Sequence, residues 1–408
     1  MQIQADALQA MRNYFKSGAT MTYAFRKKQL LALRSTVLKY QDAISEALYA
    51  DLKKSEEESF ATETGLFLTE VNFAIKNLRR WMQPKYVSSN LLNLPSSNRI
   101  YRDPLGVVLI IAPWNYPFQL LMIPLVGALA GGNCAIVKPS ELAPATASIV
   151  ERILNETFSA TYVKTTLGDG AIIVPALITN FRFDHIFYTG SIDVGRSIYQ
   201  MAAADLVPVT LELGGKSPAI IEEDANLPVA ARRIALGKFL NAGQTCVAPD
   251  YLLLHQNVKD QFMNLLKKAI TEFYTDDPSS SNDFCKIINK HRHDKLVSFL
   301  SQGKIVYGGA YNRETLYMAP TLMEEVSMET SLMKEEIFGP ILPLFSFNTR
   351  EEAFSVVSRN ANPLAFYLFT NNNEAEKEWI SRLRFGGGCV NNAVWQVANH
   401  HLPFGGVG

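Results

Sequence analysis

The 408-residue chain is poor in cysteine and histidine, has no excess charge of either sign, and lacks both a long apolar run and a basic leader. Each absence removes a class of protein. Its four cysteines, Cys134, Cys246, Cys285 and Cys389, stand far apart without paired spacing, which favours a reducing cytoplasm over a disulfide framework. Lysine plus arginine and aspartate plus glutamate both number 39, and that balance argues against nucleic acid or an anionic membrane as the main partner. The apolar stretches Leu105 to Ala112 and Leu120 to Ala130 are each too short to cross a bilayer, and Pro113, Asn115 and Pro117 separate them. Met1 to Ala10 shows no basic segment followed by an apolar one, so no signal peptide is expected. His291 and His293 are two apart and face different sides of a helix, His400 and His401 are adjacent, and neither pair has cysteines at zinc spacing, so no metal is expected. Gly-x-Gly-x-x-Gly follows none of the strand candidates, so the usual dinucleotide fingerprint is missing as well.

What is present organises into more than one core, since a chain of this length exceeds one ordinary domain. Residues 20–83 read as long helices, with Leu30, Leu33, Val37, Ile44 and Leu48 at helical spacing and a charged connection at Lys53 to Glu58. From Lys85 to Pro104 the pattern changes to short strand-like pieces, Tyr86 to Val87 and Arg99 to Tyr101, joined by the turn-rich Asn90 to Asn98. Strand candidates then follow at Val107 to Ala112, Cys134 to Val137, Tyr162 to Thr166, His185 to Tyr188 and Pro208 to Leu213, most of them separated by helical stretches. Near-continuous apolar strands alternating with helices predict a parallel sheet covered on both faces, an α/β fold. A second α/β region runs from about Lys216 to Phe404.

Two segments carry chemistry. Residues 211–218 read Leu-Glu-Leu-Gly-Gly-Lys-Ser-Pro and place one carboxylate, Glu212, at the end of an apolar strand that runs into two glycines. Residues 243–249 read Gly-Gln-Thr-Cys-Val-Ala-Pro and offer one thiol, Cys246, among small polar residues. Cys134 sits in an apolar segment and reads as an inert core residue. A base and a nucleophile on adjoining elements suit covalent catalysis with water activation. The apolar neighbours Leu211 and Leu213 should raise the pKa of Glu212 toward neutrality. After His185 to Tyr188, the turn Thr189 to Gly195 leads to a helix expected over Arg196 to Ala204. There Gly190, Ser191 and Gly195 let backbone approach a pyrophosphate at a helix N-terminus, although a Gly-Ser turn without a ligand is at least as common. Lys138 and Glu141 end the strand that begins at Cys134 and read, on their own, as a surface turn with a solvated charge pair.

With Pro113-Trp-Asn-Tyr-Pro117 and Glu335-Glu-Ile-Phe-Gly-Pro340, these segments closely resemble the aldehyde dehydrogenase superfamily. The wording of Tyr188 to Ser191 and of Gln244 to Tyr251 is most similar to its class 3, fatty and aromatic aldehyde branch. The resemblance implies a Rossmann-type cofactor domain (residues 1–83 and 103–211), an α/β catalytic domain (212–408) and a small arm (84–102) that bridges two subunits of a homodimer. It implies Cys246 as nucleophile, Glu212 as general base and Asn115 as oxyanion donor. Lys138 and Glu141 would take the adenosine ribose, Glu336 the nicotinamide ribose, and Phe338 and Trp114 would lie on the cofactor side. NAD is the expected cofactor, with NADP possible, because Glu141 should repel a 2′-phosphate. Asp193 in the glycine turn should weaken pyrophosphate binding.

The aromatic residues Trp114, Tyr116, Phe338, Trp395 and Phe404 suggest an apolar aldehyde as substrate. A CoA-acylating relative, or a catalytically silent binding or structural protein of the same fold, is the competing expectation. Relatives run several dozen residues past the glycine segment Leu402 to Gly408, and the lack of that tail predicts a weaker dimer and a more open substrate mouth.

Overall fold

The computed structural model describes residues 2–407. The chain divides into two compact units, one built from residues 1–47 and 59–211 and the other from residues 48–58 and 212–408.

The first unit opens with helices Gln2–Lys16 and Tyr23–Lys39. The former precedes the helical region expected to begin near residue 20, and Leu8 and Met11, three apart and both buried, are its sequence signature. Helix Gly65–Met82 follows a single π-turn, Phe60–Thr64. An antiparallel pair, β1 (Lys85–Val87) and β2 (Asn98–Ile100), follows, with Leu91 and Leu92 between its strands almost fully exposed. The main sheet contains β3 (Val107–Ile111), β4 (Cys134–Lys138), β5 (Val163–Thr165), β6 (His185–Gly190) and β7 (Val209–Leu213), in the order β5-β4-β3-β6-β7. The β5–β4, β4–β3 and β3–β6 pairs are parallel. Every residue of β3 and β4 is buried, so these strands carry no polar alternation, as expected where both faces are covered.

Helix Gln119–Gly131 is apolar on all sides and stops at Gly132, whose left-handed φ of 85° caps it. A Cβ at Gly132 would lie 2.4 Å from the Arg26 guanidinium carbon. Arg26 is itself tied to the Thr20 carbonyl at 2.9 Å and the Ala130 carbonyl at 3.2 Å. The helix after β6 spans Ile192–Ala203, four residues earlier than the expected start at Arg196, and this places Gly195 inside the helix rather than in the preceding turn. The connection expected at residues 53–58 is also shorter, because helix resumes at Glu56.

The second unit holds a seven-stranded sheet. Its strands are β8 (Pro218–Ile221), β9 (Tyr251–His255), β10 (Lys304–Tyr307), β13 (Thr321–Glu324), β14 (Ile341–Phe347), β15 (Ala365–Phe369) and β16 (Gly387–Val390), with β11 (Tyr311–Asn312) and β12 (Tyr317–Met318) forming a separate ribbon. The order is β10-β13-β14-β9-β8-β15-β16; β10 runs antiparallel to β13, and the other pairs are parallel. Helices Leu227–Phe239 and Lys259–Tyr274 join its core, where Ile234, Phe239, Leu252, Phe262 and Tyr367 are fully buried. Each such side chain contributes roughly 1.5–3 kcal/mol through burial. Segments 212–217, 243–250 and 335–340 lead into β8, β9 and β14 respectively. The order β14-β9-β8 therefore brings the three segments that carry the candidate residues to one end of one sheet, at the N-terminal ends of neighbouring strands. Among the described residues no helix is long and apolar enough to cross a membrane.

Gly132→Ala should lower the urea midpoint of unfolding, at a cost of roughly 1–3 kcal/mol from left-handed strain and crowding against Arg26. An unchanged midpoint would show that the turn accommodates a Cβ.

Candidate active site

Cys246 follows a turn whose backbone is held in an uncommon shape. Asn241, Ala242 and Gly243 have φ of 53°, 51° and 73°, so three successive residues are left-handed. Such conformations persist only where surroundings over-determine them. Here the Asn241 N–H donates to Glu58 Oε1 at 2.9 Å, and the Gln244 amide donates to the Asn241 and Lys286 carbonyls, both at 3.0 Å. Gln244 Oε1 accepts from the Ile288 N–H at 3.0 Å, and the Tyr367 hydroxyl donates to the Val247 carbonyl at 2.5 Å. Cys246 is thus fixed on a rigid, half-buried turn.

Two carboxylates act on it. Burial, followed by the charges of Glu336 and Glu212, pushes the Cys246 thiol up to about 12. Glu212 is half-buried on β7 and burial raises it to about 7, the direction its apolar neighbours imply; its Oε2 has no hydrogen-bond partner. Glu336 is raised to about 8, chiefly by burial and then by the charge of Asp250, and its Oε1 is likewise buried and unpartnered. Close backbone approach makes this packing feasible. A Cβ on Gly214 would sit 1.9 Å from Glu336 Oε2, and one on Gly243 would sit 2.3 Å from the Gly339 carbonyl oxygen. Phe338, next to Glu336, is held at a left-handed φ of 49°.

In the first unit the expected cofactor residues collect at the C-terminal ends of parallel strands, where α/β sheets bind ligands. Trp114 and buried Asn115 follow β3, Lys138 ends β4, Glu141 lies three residues on, and Gly190 ends β6. Lys138 pairs with Glu141, whose Oε1 also accepts from the Gly170 N–H at 3.1 Å. Burial raises the Glu141 carboxyl, but the hydrogen bonds from Lys138 and the backbone outweigh it and hold the carboxyl below its ordinary value. Ser191 is exposed at the N-cap of helix Ile192–Ala203 and its side chain makes no capping bond, so no side chain occupies that helix end as a cap. Gly195 is buried in the first turn, and its N–H is engaged by the Ser191 carbonyl at 3.0 Å. Asp193 is 93 % exposed and 3.8 Å from Arg196.

Sequence reasoning assigned no role to three cations of the second unit, of which Lys216 and Lys238 are buried and Arg292 is half-buried. Lys216 pairs with Asp250, Arg292 donates to the Ile337 carbonyl, and Lys238 is wholly buried with no hydrogen-bond partner for its Nζ. Burial lowers Lys238 to about 8, against the opposing charge of Asp250. A lysine within an otherwise apolar or small-residue stretch, as at Lys216 and Lys238, is the sequence signal that marks them. Cys134 and Cys285 are buried, and Cys389 lies half-buried on β16. Among the described residues no group of three or more His, Cys, Asp or Glu side chains is arranged to hold a metal ion.

The family model described as "Aldehyde dehydrogenase family" matches residues 2–408. A 4,4'-diaponeurosporen-aldehyde dehydrogenase of Staphylococcus aureus is 45 % identical over 397 residues, covering 97 % of this chain and 86 % of the relative. Aldehyde dehydrogenase family 3 member A2 of Mus musculus is 42 % identical, covering 98 % of this chain and 82 % of its own length. Among solved structures, the substrate-bound state of Staphylococcus aureus AldH superposes with a TM-score of 0.97 at 43 % identity, covering 100 % of this chain and 89 % of that one. An indole-3-acetaldehyde dehydrogenase in complex with NAD+ gives a TM-score of 0.90 at 26 % identity, with coverage of 99 % and 84 %.

The raised Glu336 carboxyl makes a signed prediction. Its folded pKa of about 8 exceeds its ordinary 4.5, so the folded state binds the extra proton and stability falls as pH rises through that interval. Glu336→Gln removes this loss and should raise the melting temperature at about pH 8.5, with the gain shrinking toward about pH 5. A gain of equal size at both pH values would assign the effect to packing instead of charge.

Proposed function

The chain belongs to the aldehyde dehydrogenase family and is an oxidoreductase acting on aldehydes, and from that premise we propose that it converts an apolar aldehyde to the carboxylic acid through a thioester on Cys246. The observation that carries this reading is the placement of one thiol on a rigid turn within the field of two carboxylates raised toward neutrality. Its relatives include family 3 aldehyde dehydrogenases, and the exposed Trp395 and Phe404 favour an apolar substrate.

In the proposed chemistry, Cys246 Sγ adds to the aldehyde carbonyl as the thiolate, its proton having passed to solvent, while Glu212, close to half ionised at neutral pH, is kept for the hydrolytic step. The Asn115 amide and the Cys246 N–H stabilise the oxyanion. When bound, the nicotinamide supplies the acceptor for the hydride leaving the aldehyde carbon. Glu212 then takes a proton from the water that cleaves the thioester, which releases the acid and returns the thiol. The residues present fit a nicotinamide dinucleotide: the orphaned Glu336 Oε1 suits a ribose hydroxyl, and the helix beginning at Ile192 has no side-chain cap to compete with a phosphate. Lys138 and Glu141 would hold the adenosine ribose, with Trp114, Gly190, Ser191, Gly195 and Phe338 completing the set. The Glu141 negative charge favours NAD over NADP. In this reading residues 1–83 and 103–211 form the cofactor domain, 212–408 the catalytic domain and 84–102 an arm that pairs two copies.

The deciding assay is NADH formation from a medium-chain aldehyde with and without coenzyme A; strict dependence on coenzyme A would point to an acylating enzyme and no NADH at all to a silent fold. Cys246→Ala should abolish oxidation and leave dinucleotide binding intact. Glu212→Gln should give one NADH per site followed by slow turnover, because hydride transfer can proceed once while deacylation lacks its base. Asn115→Ala should cost roughly a hundredfold in turnover. Substantial turnover by Cys246→Ala, or loss of the Glu212→Gln burst with dinucleotide still bound, would reassign these roles.

Leu92→Asp tests the arm: light scattering across a concentration series should show the parent as a dimer and the variant shifted toward monomer, and equal masses would remove the arm from assembly.

A further inference from the structure

Lys216 and Asp250 form an ion pair in which both side chains are about 95 % buried. Neither belongs to the proposed chemistry, yet together they grip the backbone on both sides of Glu336. Lys216 Nζ donates to Asp250 Oδ2, to the Glu335 carbonyl at 2.9 Å and to the Leu332 carbonyl at 2.8 Å, so all three ammonium protons are used. Asp250 Oδ1 accepts from the Ile337 N–H at 3.1 Å. The peptide atoms before and after Glu336 are therefore held by the two partners of one pair. The pair is anchored in turn, because the Asp250 N–H donates to the Ser217 carbonyl at 2.7 Å. Arg292 adds a third hold through the Ile337 carbonyl, with its guanidinium 5.9 Å from the centre of the Phe338 ring.

The gripped segment is one that would otherwise relax. Phe338 is left-handed, and the Glu336 carboxylate is packed where a Cβ on Gly214 would be, with one oxygen left open. A buried ion pair contributes little to net stability compared with an apolar pair of similar volume, so its value lies in what it orients. We propose that Lys216 and Asp250 are positioning residues that fix the open oxygen of Glu336 for the nicotinamide ribose. This rests on the reading of Glu336 as a ribose ligand.

The test is NADH affinity by fluorescence titration, with thermal melting read in parallel. Glu336→Gln comes first, and weaker NADH binding is expected; parental affinity would overturn the ribose reading, and with it the purpose assigned to the pair. The paired replacement Lys216→Met with Asp250→Leu removes both charges without stranding either. It should melt close to the parent and bind NADH roughly tenfold more weakly, the scale of one hydrogen bond to a charged group. Adding Glu336→Gln to that replacement should weaken binding no further, because the pair acts through Glu336. Asp250→Asn, which keeps the acceptor for Ile337, should fall between parent and paired replacement, and it serves in place of that replacement should the latter not fold. If Glu336→Gln weakens NADH while the folded paired replacement binds like the parent, the positioning role is wrong and the ribose reading stands. Fully additive losses would likewise overturn it, since they indicate a general structural effect.

Discussion

The second unit's site depends on backbone passing where no methyl group fits. Gly214 lets the Glu336 carboxylate lie against the strand exit that carries Glu212, and Gly243 lets the Gly339 carbonyl lie against the turn that carries Cys246. The segment 335–340 is thereby wedged between two glycine contacts, one at the strand exit that carries Glu212 and one at the turn that carries Cys246. Close packing of this kind has little tolerance, since interiors are as dense as organic crystals. The hydrogen bonds of Gln244, Tyr367, Lys216 and Asp250 hold what the glycines permit.

The two units present their functional residues at opposite ends of their strands. In the first, Trp114, Lys138 and Gly190 stand at or just beyond the C-terminal ends of parallel strands, where helix N-termini favour negative charge. In the second, Glu212, Cys246 and Glu336 stand on segments that enter β8, β9 and β14 at their N-terminal ends. The first arrangement suits a phosphate-bearing ligand. The second suits groups whose protonation must be adjustable, because Glu212 and Glu336 owe their raised pKa values first to burial.

Much of this was legible before any coordinate. The strands of the first sheet announce themselves as unbroken apolar runs such as Val107 to Ile111, and Glu212 and Cys246 stand out as single reactive groups among small or apolar neighbours. The rest depends on distant partners. Lys216 looks like one more polar residue after two glycines until residues 250, 332 and 335 supply its acceptors, up to 119 positions away. The early start of helix Ile192–Ala203 was hidden because Gly195 reads locally as a turn, whereas tertiary packing tolerates it inside a helix. The π-turn Phe60–Thr64 likewise has no periodicity of its own to announce it.

The environment of Cys246 has a bearing on how long the protein survives. A thiol whose pKa burial pushes this far up is held almost wholly protonated at neutral pH. Peroxides and stray electrophiles attack the thiolate far faster than the thiol. Burial first, and the neighbouring carboxyls of Glu336 and Glu212 after it, thus shelter the sulfur from oxidative damage between encounters by keeping it protonated.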